Sequence, residues 1–175
     1  MSVLIPVMIV VLTVVAMEGF AYSVHRWIMH GPLGWGWHKS HHEETHGPFE
    51  KNDLYAVVFA VISILLFAIG SAWWPWLWWV AVGASVYGVI YFIVHDGLVH
   101  QRWPFRYVPR RGYFRRLYQA HRLHHAVEGR DDCVSFGFVY APPVDDLKAQ
   151  LKSSGVLAKR QSKHRDAWRA DRPED

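Results

Sequence analysis

The chain has 175 residues, 51% of them hydrophobic and ten of them tryptophan, with a mean hydropathy close to zero. Its net charge of +4 joins two unlike halves: residues 1–100 hold three Lys/Arg against six Asp/Glu, and residues 101–175 hold sixteen against nine. A single cysteine, Cys133, excludes an intramolecular disulfide and fits a reducing compartment, while the division into an apolar and a basic half points to a membrane as the sorter and not to a nucleic-acid partner.

In chain order, Ser2 to Val24 is an apolar run long enough to cross a bilayer, broken chiefly by Glu18. It has neither a basic start nor a small-x-small cleavage site, so it reads as a retained span and not as a signal peptide. From His25 to Asp53 the chain is polar, rich in histidine and punctuated by Gly and Pro, which predicts a site-bearing loop with short helical pieces. Leu54 to Gly70 is a second, shorter apolar run. Trp73, Trp74, Trp76, Trp78 and Trp79 then cluster around Pro75, as in an aromatic belt at a tight interfacial turn, and Leu77 to Val94 crosses back. The apolar stretch Cys133 to Pro143 is too short for a fourth span. Beyond Val144 the large apolar residues are Leu147, Leu151, Val156, Leu157 and Trp168, which predicts a short amphipathic helix and then a frayed tail. The expected fold is an all-α membrane protein of about three transmembrane helices with a cytoplasmic helical cap: a membrane-embedded domain over 1–143 and a charged cytoplasmic tail over 144–175.

Charge sets the expected orientation. No Lys or Arg precedes Arg26, and none lies between Lys51 and Arg102, so every basic residue falls on one side of a three-span chain, the cytoplasmic side by the positive-inside rule. The arginines at 102, 106, 110, 111, 115 and 116 read as topology and headgroup contacts, or as a docking surface for an acidic partner.

Ten of the twelve histidines fall into two copies of one pattern. His25 and His30 are followed by His38, His41 and His42; His95 and His100 are followed by His121, His124 and His125. Residues at i, i+3 and i+4 lie within about a 100° arc of a helix, which makes each triplet a ligand face. A pair five apart is rotated by roughly 140° on an undistorted helix, so either the helix ends between its members, as Gly31-Pro32 and Gly97 would allow, or they serve different metals. Imidazole suits Fe, Zn, Cu and Ni, and ten of them exceed what one metal can use, so two metals are the natural count. Glu18, Tyr22 and His25 share a helical stripe, and an intramembrane acid is a functional candidate by default. Glu18, Tyr22 and Asp96 are therefore candidates to orient ligands through hydrogen bonds. His42-Glu-Glu-Thr-His46 matches the HExxH zinc-protease pattern, but His42 already belongs to a triplet, Gly47-Pro48 interrupts the helix, and the other clustered histidines would go unexplained.

The HxxxxH, HxxHH, HxxxxH, HxxHH series beside a few short spans resembles the fatty-acid hydroxylase superfamily of non-haem di-iron membrane oxygenases. Asn52-Asp-Leu-Tyr-Ala-Val-Val-Phe59, His95-Asp-Gly-Leu-Val-His-Gln-Arg-Trp-Pro-Phe105 and Cys133-Val-Ser-Phe-Gly-Phe138 resemble more closely its bacterial β-carotene 3-hydroxylase branch. The resemblance runs from about Glu18 to Pro143. The spacing alone leaves open a hydroxylase or desaturase of another lipid and C4 instead of C3 chemistry; the resemblance implies an inner-membrane enzyme that hydroxylates C3 and C3′ of the β-ionone rings of β-carotene with O2 and electrons from ferredoxin or a similar reductant. Its metal would be two iron ions, with zinc an adventitious substitute, and the ten motif histidines carry over as the ligands. His46 and His164 match nothing in it. Because a C40 hydrocarbon dissolves only in the bilayer, Tyr91, Phe92 and Val94 are candidates to line its way in.

Overall fold

A computed structural model describes residues 3–43, 49–104 and 107–156, with positions 158 and 162 beyond them. Every regular element among the described residues is helical. α1 (Leu4–Ser23) runs on into a π-helical segment, Val24–Met29, and is followed by the short α2 (Trp35–His42). α3 (Asp53–Ala72) and α4 (Pro75–Tyr91) form a hairpin, and α4 continues as a second π-helical segment, Phe92–Val99. α5 (Gly112–His124) and α6 (Val144–Ser153) complete the cap. Leu4–Met29, Asp53–Ala72 and Pro75–Val99 are each long and apolar enough to cross a membrane, matching the three expected spans, and two of them run past His25 and His95 to end one residue before His30 and His100.

The spans are helices without a wet side. Ala21 is the one residue of α1 that is buried, while Val11, Leu12 and Val15 are more than half exposed; such a surface is at home in lipid, where a helix satisfies its own backbone. Pro75 at the first turn of α4 presets the helical backbone after the Trp73-Trp74 turn, and the exposed Trp73, Trp74 and Trp76 ring that end of the hairpin. With no hydrophobic drive between helices in lipid, small residues let backbones approach. A Cβ on Gly70 would come within 2.4 Å of the Trp78 backbone nitrogen, and one on Gly83 within 2.6 Å of Thr13 Cβ on α1, whereas Gly88, also on α4, has nothing within 4 Å. Gly83→Val should therefore force α1 from α4 at a cost of about 1–3 kcal/mol and lower the melting temperature in detergent by several degrees, while Gly88→Val should not. Equal melting temperatures for the two variants would contradict this packing.

At the other end, α5 buries Leu117, Ala120, His121 and His124 along one stripe. Leu147 and Leu151 of α6, one turn apart and fully buried, join Leu117, Ala120, Val127, Val134 and Val94 in a single core. The amphipathic helix expected after Val144 is thus α6, and it is packed into the cap. Leu157, His164 and Trp168 lie outside the described residues.

Candidate metal centre

The two pairs spaced five apart sit on the π-helical segments, and the wider turn resolves the spacing that an α-helix leaves open. The His30 N–H donates to the His25 carbonyl at 3.0 Å and the His100 N–H to the His95 carbonyl at 2.9 Å, both i→i+5 bonds. Such a turn brings residues five apart onto one side, so the helix neither ends between the histidines nor sends them to different metals. Their rings lie 5.2 Å apart in the first pair and 4.5 Å in the second.

The triplets behave otherwise than a single ligand face. On α2, His38 and His42 turn to one site and His41 to another; on α5, His121 and His125 turn to the second site and His124 to the first. The arc of about 100° is wide enough for its two edges to serve two centres. The first nest holds His25, His30, His38 and His124, whose Nε2 atoms lie 3.1 Å apart along the series His25–His38–His30–His124. The second holds His41, His95, His100 and His121, with Nε2 separations of 3.2 Å for His41–His95 and 2.8 Å for His100–His121. His125 adds its Nε2 at 2.9 Å from that of His121, and His42 lies 4.9 Å from His124 by ring centres. His42 and His125 stack at 4.5 Å where the nests meet.

The chemistry of the donors fits a cation in each nest. In the first, the Nδ1–H groups donate to the carbonyls of Phe136 (from His25, 2.8 Å), Arg130 (from His30, 2.9 Å) and Val134 (from His124, 2.9 Å), and to Asn52 Oδ1 (from His38, 2.7 Å). In the second, His41 donates to Glu50 Oε2 and His95 to Asp96 Oδ1, both at 2.8 Å. With their protons on Nδ1, these rings aim bare Nε2 lone pairs at one another across 3.1–3.2 Å, an arrangement that repels unless a cation lies between. The buried Nε2 of His42 has no hydrogen-bond partner among the described residues. Ligands about 2.1 Å from a metal sit about 3.0 Å apart at right angles and about 3.4 Å apart in a tetrahedron, so these spacings suit imidazoles that share one ion. Burial keeps the rings neutral, as ligation requires: it lowers His38 and His100 to about 3 and His42 to about 4, and holds His41, His121 and His124 well below the usual range.

Of the three residues expected to orient ligands, Asp96 accepts directly from a motif histidine, His95. Glu18 acts one step away. Its Oε1 accepts from the backbone N–H groups of Phe138, Val139 and Tyr140 at 3.0, 3.0 and 2.8 Å, and its Oε2 accepts from the Tyr87 hydroxyl at 2.6 Å. It thereby pins the loop that supplies the Phe136 carbonyl to His25 and stacks the Phe138 ring on His25 at 4.9 Å. A Cβ on Gly137 would fall 2.4 Å from the Tyr140 carbonyl oxygen and 2.8 Å from Glu18 Oε1, so the loop closes around the carboxylate with glycine at this position. Among the described residues Tyr22 hydrogen-bonds no histidine; its hydroxyl accepts from Arg26 and its ring packs edge-on to Phe136. Glu18→Ala should accordingly loosen the first nest. Its bound metal should fall well below that of Glu18→Gln, which keeps acceptors for part of the loop, and identical metal content in the two variants would show that the loop does not need this side chain.

Several sequence expectations fall elsewhere. Val94 is buried in the cap core and Tyr91 stacks on His95 at 4.6 Å, so of the three candidate lining residues only Phe92 faces outward. Arg102 grips Asp53 through both Nη atoms at 2.8 Å and so serves the protein interior instead of lipid; Arg106 lies outside the described residues. Glu43 is exposed and paired with Lys39 at 3.1 Å, turned away from both nests, and His46 lies outside the described residues. Glu50 and Asn52 were not singled out as supports by spacing, because a lone acid and a lone amide carry no period. A cleft of about 360 Å³ lined by Val99, Arg122 and Ala126 opens onto His41, His100, His121 and His125 of the second nest.

A family model described as fatty acid hydroxylase matches residues 10–147. The chain is 77% identical over 150 residues to the beta-carotene hydroxylase of Paracoccus sp. (strain PC1), covering 86% of this chain and 93% of that protein. It is 62% identical over 146 residues to the beta-carotene hydroxylase of Pantoea ananas, covering 83% and 82%, and 38% identical over 147 residues to the chloroplastic beta-carotene hydroxylase 1 of Capsicum annuum, covering 82% and 44%. No solved structure matches it. With the family model spanning spans and cap alike, and with all ten histidines of the doubled pattern gathered at one end of those spans, the chain belongs to the fatty acid hydroxylase family.

Proposed function

We propose that this protein hydroxylates C3 and C3′ of the β-ionone rings of β-carotene, giving β-cryptoxanthin and then zeaxanthin, at two iron ions held by the ten histidines. Each hydroxylation takes up one O2, two electrons and two protons; one oxygen atom enters the ring and the other leaves as water. The observation that carries the reading is the pair of five-histidine nests at one end of three spans, in a chain 77% identical to a protein named beta-carotene hydroxylase. The bound metals would supply the reductive activation of O2 that no side chain can provide. The chain's own residues do the rest. The Nε2 atoms hold the metals, the carbonyls and carboxylates on Nδ1 fix each ring, and the exposed apolar surface of the spans keeps a C40 hydrocarbon dissolved beside the site. The reading places the site on the cytoplasmic side of the bacterial inner membrane, where ferredoxin or a similar reductant supplies electrons.

Pigment analysis after expression in cells that make β-carotene tests it: zeaxanthin should accumulate, and unchanged β-carotene beside well-expressed protein would refute it. The zinc-protease reading is separated by three variants at matched expression. His125→Ala should yield no hydroxylated product, whereas Glu43→Gln and His46→Ala should retain more than half of wild-type turnover. A dead His46→Ala beside an active His125→Ala would reverse the assignment.

A further inference from the structure

The two nests differ in what stands behind their ligands. Behind the first, every described Nδ1 partner is neutral: the carbonyls of Phe136, Arg130, Val134 and Val127, and the amide of Asn52. Behind the second, His41 and His95 donate to the carboxylates of Glu50 and Asp96. These acids belong to one network, in which the Glu50 backbone N–H donates to Asp53 Oδ2 at 2.9 Å, Arg102 holds Asp53 at 2.8 Å, and the same guanidinium lies 3.9 Å from Asp96. Glu50 and Asp96 are each less than one fifth exposed, so water screens them little. Asp131, the acid facing the first nest near His30, is exposed and paired with Arg130 at 3.6 Å.

A carboxylate on Nδ1 raises the basicity of the ligating Nε2 and brings negative charge towards the metal, where a carbonyl offers only a dipole. We propose that Glu50 and Asp96, positioned by the Asp53–Arg102 clamp, make the second nest the stronger cation site, so that it fills first and holds its iron oxidised at a lower potential than the first nest does. The proposal rests on the two-metal reading above. The stronger ion would be the one beside the open cleft, and the weaker one that enclosed by Phe136 and Phe138.

The test is zinc competition against a fluorescent chelator on the full chain in nanodiscs, followed by redox titration of the iron-loaded protein. The wild type should show two binding classes at least tenfold apart and two one-electron potentials separated by about 59 mV or more, which corresponds to a tenfold greater preference of the second nest for the oxidised over the reduced ion. Glu50→Gln with Asp96→Asn should weaken the tight class 10–100-fold, leave the loose class in place and raise the lower potential. Persistence of the loose class shows that this variant is folded. Asn52→Ala should instead weaken the loose class and widen the gap. Two metals bound with equal affinity in the wild type, or a Glu50/Asp96 double variant with both classes unchanged, would overturn the proposal. Uptake of fewer than two zinc ions would overturn the two-metal reading beneath it.

Discussion

Loss of His30 together with His124 should cost one iron per chain, whereas loss of His30 together with His121 should cost both, although either double variant abolishes turnover. The expectation follows from the crossed ligation. His124 shares the first nest with His30, while His121, one turn earlier on α5, belongs to the second. At a chelator strength at which His30→Ala and His121→Ala each fall to one iron per chain, the same-nest double stays at one because the second nest is intact. The cross-nest double damages each nest once and retains none. If α5 instead turned its whole triplet to one centre, His121 and His124 would be interchangeable in this experiment. Finding the two doubles equal, or their order reversed, would dismiss the division into nests. Turnover cannot make this distinction, since on the two-metal reading proposed above loss of either ion abolishes it, so the count of bound iron is the measurement that matters.

The spans were legible because their signal is additive. Twenty apolar residues in a row have one stable environment, and the structure moves their ends by a few residues only. The clustering of the histidines was legible for a similar reason, since ten of them in a doubled pattern have no packing role that would repeat their spacing. What the residues did not display was the path between. Val24–Met29 and Phe92–Val99 have ordinary helical composition, and the π turn that aligns His25 with His30 is stabilised by tertiary contacts, such as the bond from His25 to the carbonyl of Phe136, 111 positions away. Backbone carbonyls have no letter in a sequence, so the partners of His25, His30 and His124 could not be read there. Glu18 was visible as an acid among apolar neighbours, but its task of gathering three backbone N–H groups and the Tyr87 hydroxyl depends on a loop 120 residues later.

Stability of the metal-free protein should fall steeply as pH drops below about 6.5, and metal should be released by opening of the cap instead of by simple protonation of ligands in place. The sign follows from burial. In the unfolded chain these histidines bind a proton near pH 6.5, whereas in the fold His38 and His100 do so only at about 3 and His42 at about 4. Between those limits the unfolded state holds more protons, so stability rises with pH and is lost as pH falls; above 6.5 both states are neutral and no penalty arises. Each such group contributes on the order of 1 kcal/mol per pH unit, so these three alone remove several kcal/mol by pH 4.5, comparable to the whole stability of a modest domain. Bound metal favours the fold in proportion to its affinity and should shift the transition to lower pH. Melting temperatures of chelator-treated and iron-loaded protein from pH 8 to 4.5, read beside released iron, provide the check. A metal-free protein equally stable at pH 7 and 5 would mean that these rings are not held neutral. Iron lost near pH 6.5 with the fold intact would mean that they protonate within the nests.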